Sequence, residues 1–241
     1  MWDNALLIRN TANALIILSV FAMLYGAAWY VMHLPGLLPV KSVRLSAAPQ
    51  QVSAAELLRV VRSEVRGNLF TVNIERLGQS LEKLPWVRNV SIRREFPHAL
   101  AVQLEEHQAM ARWNNSALVN QQGETFVAGS DQALPGFNGQ EGTSAEIAQQ
   151  YVEFNRQLGG LGLSVEQVAL SPRHAWQLRL NNGMVLELGR EDMQQRLARF
   201  VAVYPYAENG IKKAEDSGTV KYVDLRYRNG FAVQRITNDK G

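Results

Sequence analysis

Residues 67–105 read GNLFTVNIERLGQSLEKLPWVRNVSIRREFPHALAVQLE, and this stretch decides the fold of the first half of the chain. Gly67 to Asn73 form a connecting turn. From Ile74 to Leu84 the apolar residues Ile74, Leu77, Leu81 and Leu84 recur at helical spacing on one face, and Pro85 stops the run. Trp86 to Ile92 then opens a strand, Phe96-Pro97-His98 makes a turn, and Leu100, Val102 and Leu104 alternate along a returning strand.

Upstream, Val43 and Leu45 alternate in a short strand over 40–45. Ser53 followed by Ala54, Ala55 and Glu56 predicts a capping box at the start of a helix that carries Leu57, Leu58, Val61 and Val65 and ends at Gly67. The order is β-α-α-β-β over residues 40–109. Before it, a linker over 34–39 contains Pro35, Gly36 and Pro39. The stretch from Asn10 to Met32 has no charged side chain. About 20 helical residues cross the roughly 30 Å apolar layer of a bilayer, so residues 10–33 predict a transmembrane helix behind a tail of residues 1–9. Trp2 and Trp29-Tyr30 sit near its ends, where such rings favour the interface. Gly26-Ala27-Ala28 offers a signal-cleavage site, but a signal h-region runs only about 7–15 residues. Arg9 is opposed by Asp3 on one flank, while Lys41 and Arg44 follow the other, so the flanking charges do not fix the orientation.

The run from Gly67 to Phe70, the helix ending Leu84-Pro85-Trp86-Val87 and the strand before Arg93-Arg94-Glu95-Phe96-Pro97 resemble a POTRA domain. Leu100 to Ala109 with Arg112-Trp113 resembles the bacterial division family FtsQ or DivIB. The second half, residues 110–237, is similar to the same family. A hairpin is expected at Leu118–Phe126 over a turn containing Gly123, followed by the short segment Leu134-Pro135-Gly136-Phe137. A helix is expected over 145–158, strands over 165–170, 175–180 and 184–188, and a helix over 190–203. A last hairpin, 219–228 with 231–236, turns over Asn229-Gly230, and its Tyr222-Val223-Asp224-Leu225-Arg226-Tyr227 run resembles the family's C-terminal motif. The fold class is α+β: a transmembrane helix, a POTRA domain, then a mixed antiparallel β-sheet domain with flanking helices and a tail at 238–241.

Composition narrows the function. The 241 residues are 46% hydrophobic with a net charge of +3, too small to argue for nucleic acid. Residues 39–112 carry 11 basic against 7 acidic side chains, so this part is mildly basic. With no cysteine, disulfides and thiol chemistry are excluded. Ser80-Leu81-Glu82-Lys83 matches the S-x-x-K of penicillin-binding enzymes but has no K-T-G or S-x-N downstream. His33, His98, His107 and His174 contain no i,i+4 pair, and Gly159, Gly160 and Gly162 follow a helix where a phosphate loop would open one. Glu105 and Glu106 are neighbours on a strand and face opposite sides. No catalytic, cofactor or metal site is expected.

A binding surface remains. In a two-residue hairpin Arg226 faces Val233 and Asp224 faces Arg235, while Val223, Leu225 and Tyr227 share the apolar face. The strand Phe231–Ile236 is the last, and a last strand tends to lie at a sheet edge, either open to a partner or blunted by Arg235 and Lys240. The resemblance implies that this region receives FtsB-like and FtsL-like single-pass proteins. By motif it implies contacts at Arg226, Tyr227, Asn229 and Gly230, with Phe231, Ala232, Val233 and Gln234 on the edge strand and Arg173 on a separate loop. It further implies an inner-membrane scaffold of the division septum, with a cytoplasmic amino terminus, periplasmic domains and other division proteins bound through the POTRA domain. A POTRA-bearing secretion or envelope-assembly factor that handles substrate strands is the alternative.

Overall fold

The computed structural model describes residues 5–34, 36–213, 219–227 and 230–236. Pro35, Arg228, Asn229, Lys240 and the 238–241 tail, which the sequence reading used, lie outside the described residues. The chain divides into two compact units, Met1–Glu106 and His107–Gly241.

The first unit begins with α1 (Ala5–Met32). Its Ile8–Met32 stretch has a mean hydropathy of 2.0 and is nowhere covered by protein, which is consistent with a transmembrane anchor. Then come β1 (Ser42–Leu45), α2 (Ala54–Glu64), α3 (Ile74–Glu82), β2 (Val87–Glu95) and β3 (Ala99–Glu106). This is the expected β-α-α-β-β order. The three strands lie β1-β3-β2, with β1 parallel and β2 antiparallel to β3. The helical stripe of α3 buries Leu77 and Leu81 completely, against Leu100 and Val102 of β3.

The capping box is not formed. Ser53 occupies the N-cap of α2, but its side chain makes no capping hydrogen bond. The segment entering α2 is held by a different group: the Glu106 carboxylate accepts the N–H groups of Gln50, Gln51 and Val52 at 2.9, 3.0 and 2.8 Å. Its neighbour Glu105 instead pairs with Arg88 across the sheet, so the two carboxylates do point apart, as strand alternation requires.

The second unit contains β4 (Ala109–Trp113), β5 (Ala117–Asn120), β6 (Thr125–Phe126), β7 (Gly136–Asn138), α4 (Ser144–Leu158) and a 3-10 turn at Gly159–Leu161. It continues with β8 (Val165–Leu170), β9 (Trp176–Leu180), β10 (Val185–Gly189), α5 (Met193–Lys213), β11 (Thr219–Asp224) and β12 (Ala232–Ile236). Nine strands form one sheet, ordered β12-β11-β10-β9-β8-β7-β4-β5-β6. The β4–β7, β7–β8 and β10–β11 pairs are parallel and the others antiparallel, so the sheet is mixed. Phe137, Phe154 and Trp176 anchor the core between sheet and helices, Phe154 meeting Trp176 edge-on at 5.7 Å.

Helix α5 starts later and runs further than its periodicity suggested. Asp192 has a positive φ of 52° and breaks the chain before Met193. Pro205 lies inside the helix, where it removes the N–H owed to the carbonyl of Val201 but does not end the run.

Candidate functional site

Strand β12 occupies one edge of the nine-stranded sheet, paired on one side only, with β11. Ala232, Val233, Gln234 and Arg235 are all exposed, and Phe231 just before them packs partly against the core.

The hairpin leading to this edge differs from the sequence reading. Asp224 pairs with Ala232, Val223 with Val233 and Tyr222 with Gln234, and the register slips between Val220 and Tyr222. Asp224 therefore does not face Arg235, Arg226 does not face Val233, and the loop from Leu225 to Phe231 is wider than two residues. The cause is the Asp224 side chain. Its Oδ1 accepts the backbone N–H of Arg226 at 3.0 Å, an Asx-type bend that turns the chain out of the strand. The same carboxylate receives the Arg226 guanidinium in a fork, Nε at 2.9 Å and Nη2 at 2.6 Å. That donation holds the Asp224 carboxyl below its usual range against the opposing effect of burial, and it raises Arg226 further.

Once the strand ends, alternation ends too. Val223 and Leu225 are buried, but Tyr227 is 58% exposed and does not join their apolar face. Gly230 is exposed as well. Arg173, which the sequence put on a separate loop, lines the same open groove as Arg226, a cleft of about 460 Å³ that also includes Ser171, Gly189, Arg190, Glu191 and Arg196. Four guanidinium groups against the Glu191 carboxylate and the Asp224 carboxylate that holds Arg226 leave this groove basic.

Gly189 makes the arrangement possible. Its φ is +75°, at a bulge where β10 slips against β9, and a Cβ there would stand 2.7 Å from Arg196 Nη1 and 3.0 Å from Arg226 Cγ. Arg196 donates to the carbonyl of Leu188 at 2.7 Å, which ties α5 to the end of β10. Neither Gly189, Arg190 nor Arg196 was singled out by the sequence. The one available signal was a glycine directly after a regular strand. Among the described residues no group of three or more His, Asp or Glu could hold a metal ion.

Comparison with known proteins identifies this architecture. Residues 111–226 match the family described as Cell division protein FtsQ/DivIB, C-terminal, and residues 38–107 match the POTRA domain, FtsQ-type. The chain is 41% identical to the Cell division protein FtsQ of Nitrosospira multiformis over 97% of this chain and 99% of that one. It is 34% identical to the protein of the same name from Burkholderia pseudomallei, over 97% and 94%. The chain belongs to the FtsQ/DivIB family of cell division proteins. As an FtsQ-family member with an FtsQ-type POTRA domain and one amino-terminal apolar helix, it has a role in the division machinery. The FtsQ/DivIB C-terminal match stops at Arg226, just inside the basic groove and before the edge strand.

Proposed function

We propose that this protein is a non-catalytic scaffold of the divisome, anchored in the inner membrane with its POTRA and β domains in the periplasm. It recruits and connects septal peptidoglycan synthesis components by binding proteins, among them FtsB-like and FtsL-like single-pass partners, and it concentrates at the septum. The FtsB/FtsL-like complex adds a strand along β12 and places acidic side chains in the adjoining basic groove. Other division proteins use the POTRA domain.

The observation that carries this reading is the open β12 edge beside a groove where Arg173 and Arg226 converge. Main-chain hydrogen bonds along an edge supply affinity, and charged neighbours set partner choice and association rate. Arginine suits this role because its planar fork matches carboxylates.

The test is titration of the full-length protein in detergent with an extracytoplasmic FtsB-like peptide. Arg173→Glu lies on the exposed loop after Pro172 and is predicted to weaken binding at least about tenfold, mostly through slower association that worsens at low salt. An unchanged affinity, with the melting temperature also unchanged, removes the groove from the interface.

A further inference from the structure

We infer that the POTRA domain makes a second contact with the membrane, through an aromatic pair, Phe70 and Phe96, set into the headgroup layer beside the end of α1. This rests on the reading of α1 as a membrane anchor and is independent of the partner surface on β12.

Asn68 is 1% exposed, and its Nδ2 donates to the carbonyls of Met32 at 2.7 Å and Leu34 at 3.1 Å. Helix ends leave such carbonyls without intrahelical donors, so Asn68 fastens the 67–72 loop to the point where α1 ends. Two residues on, Phe70 is 40% exposed, and its ring lies 5.9 Å from that of Phe96. Phe96, 63% exposed, forms the tip between β2 and β3. The incoming chain reaches the same place: Leu69 N–H donates to the Leu38 carbonyl and Lys41 N–H to the His98 carbonyl.

Distances bring the pair within reach of the interface. The headgroup region adds about 5–8 Å on each side of the hydrocarbon core. Phe70 stands at most about 7 Å of backbone from Asn68, which itself donates to the Met32 carbonyl at the end of α1. An exposed aromatic pair at that depth gains apolar burial in the interface. The surrounding charge matches an anionic surface. Lys41, Arg66, Arg93 and Arg94 are exposed, and the one acidic residue among them, Glu95, pairs with Arg44. Arg94 is held at the aromatic loop by donating to the carbonyls of Leu69 at 2.7 Å and Val72 at 3.1 Å.

The chain has no cysteine, so single spin labels can be placed without background. The full-length protein carrying Phe96→Cys, Phe70→Cys, Gln103→Cys or Leu18→Cys is labelled and reconstituted in vesicles of phosphatidylglycerol and phosphatidylcholine. Collision rates with oxygen and with a water-soluble nickel chelate are then read. Leu18 reports the bilayer interior, and Gln103, exposed and far along β3, reports water. Nickel accessibility at Phe96 and Phe70 is expected at least about threefold below that at Gln103, rising when phosphatidylglycerol is omitted. Values equal to Gln103 while Leu18 is in the bilayer overturn the contact, as does immobilisation of the labels with full nickel access, which marks a protein neighbour instead. A water-exposed label at Leu18 overturns the anchor reading itself. Phe70 and Phe96 are both exposed and labelled separately, so one misfolded variant does not decide the result.

Discussion

Asn68 and Asp224 are short polar side chains that are almost wholly buried, and each is there to satisfy main-chain groups. Asn68 uses both ends of its amide. Its Oδ1 accepts the N–H groups of Phe70 and Thr71 at 2.9 Å, and its Nδ2 donates to Met32 and Leu34. Asn68→Asp keeps the acceptor and replaces the donor by a charge facing two carbonyls. It is predicted to destabilise the first unit by about 2–4 kcal/mol, measured as a shift in urea midpoint. Asp224 titrates, so its contribution depends on pH. Its carboxyl is held low in the folded protein by the Arg226 fork, against about 3.9 in an unfolded chain. The stability it adds is therefore fully present above about pH 4 and is lost as pH falls through the depressed folded value. Asp224→Asn should unfold at lower urea than the parent at pH 7, and the two midpoints should converge as pH drops below about 4. Parallel curves down to pH 2 would exclude this pairing as a source of acid sensitivity. Neither role was legible beforehand. Asn68 stood in the Gly67–Phe70 run only as part of a resemblance, because a side chain that reaches a carbonyl 36 residues away leaves no local pattern.

Strands and helices were far more legible than the joints between them. The alternation of Leu100 and Val102 and the helical stripe of Leu77 and Leu81 gave β3 and α3 to within two residues, because burial on one face imposes those periods. The closing hairpin was misread for a physical reason: Asn229-Gly230 favours a two-residue turn, but the Asp224 bend ends β11 earlier than the apolar pattern does. The position of β12 at the edge, hairpinned to β11, was anticipated from its being the last strand, whereas the basic groove depends on tertiary arrangement. The edge itself is testable with two prolines. Along an edge strand, successive N–H groups alternate between the partner strand and open solvent. Of Val233→Pro and Gln234→Pro, one removes an inward donor and destabilises the β11–β12 pairing. The other removes an outward donor, and it is predicted to leave the melt within about 1 kcal/mol of the parent while binding of the FtsB-like peptide is lost. Both variants binding normally would exclude strand addition at β12.

The two units and the apolar helix assign different work to different parts of one chain. The POTRA unit is tied by Asn68 to the end of α1, while the β unit carries its open edge more than 190 residues beyond that helix. Such a layout serves a scaffold if both units lie on the same side of the membrane, as they do where α1 is the one spanning helix among the described residues. The flanking charges, Arg9 opposed by Asp3 on one side and Lys41 with Arg44 on the other, do not fix that side. The proposed function places both units in the periplasm. β-Lactamase fused after Gly241 is therefore predicted to confer ampicillin resistance on its host, since the enzyme protects cells only when exported. The same fusion placed after Arg9, ahead of the apolar helix, should leave the host sensitive. Resistance from the Arg9 fusion and sensitivity from a stably produced Gly241 fusion would invert the topology and remove β12 from the compartment where its partners are proposed to bind.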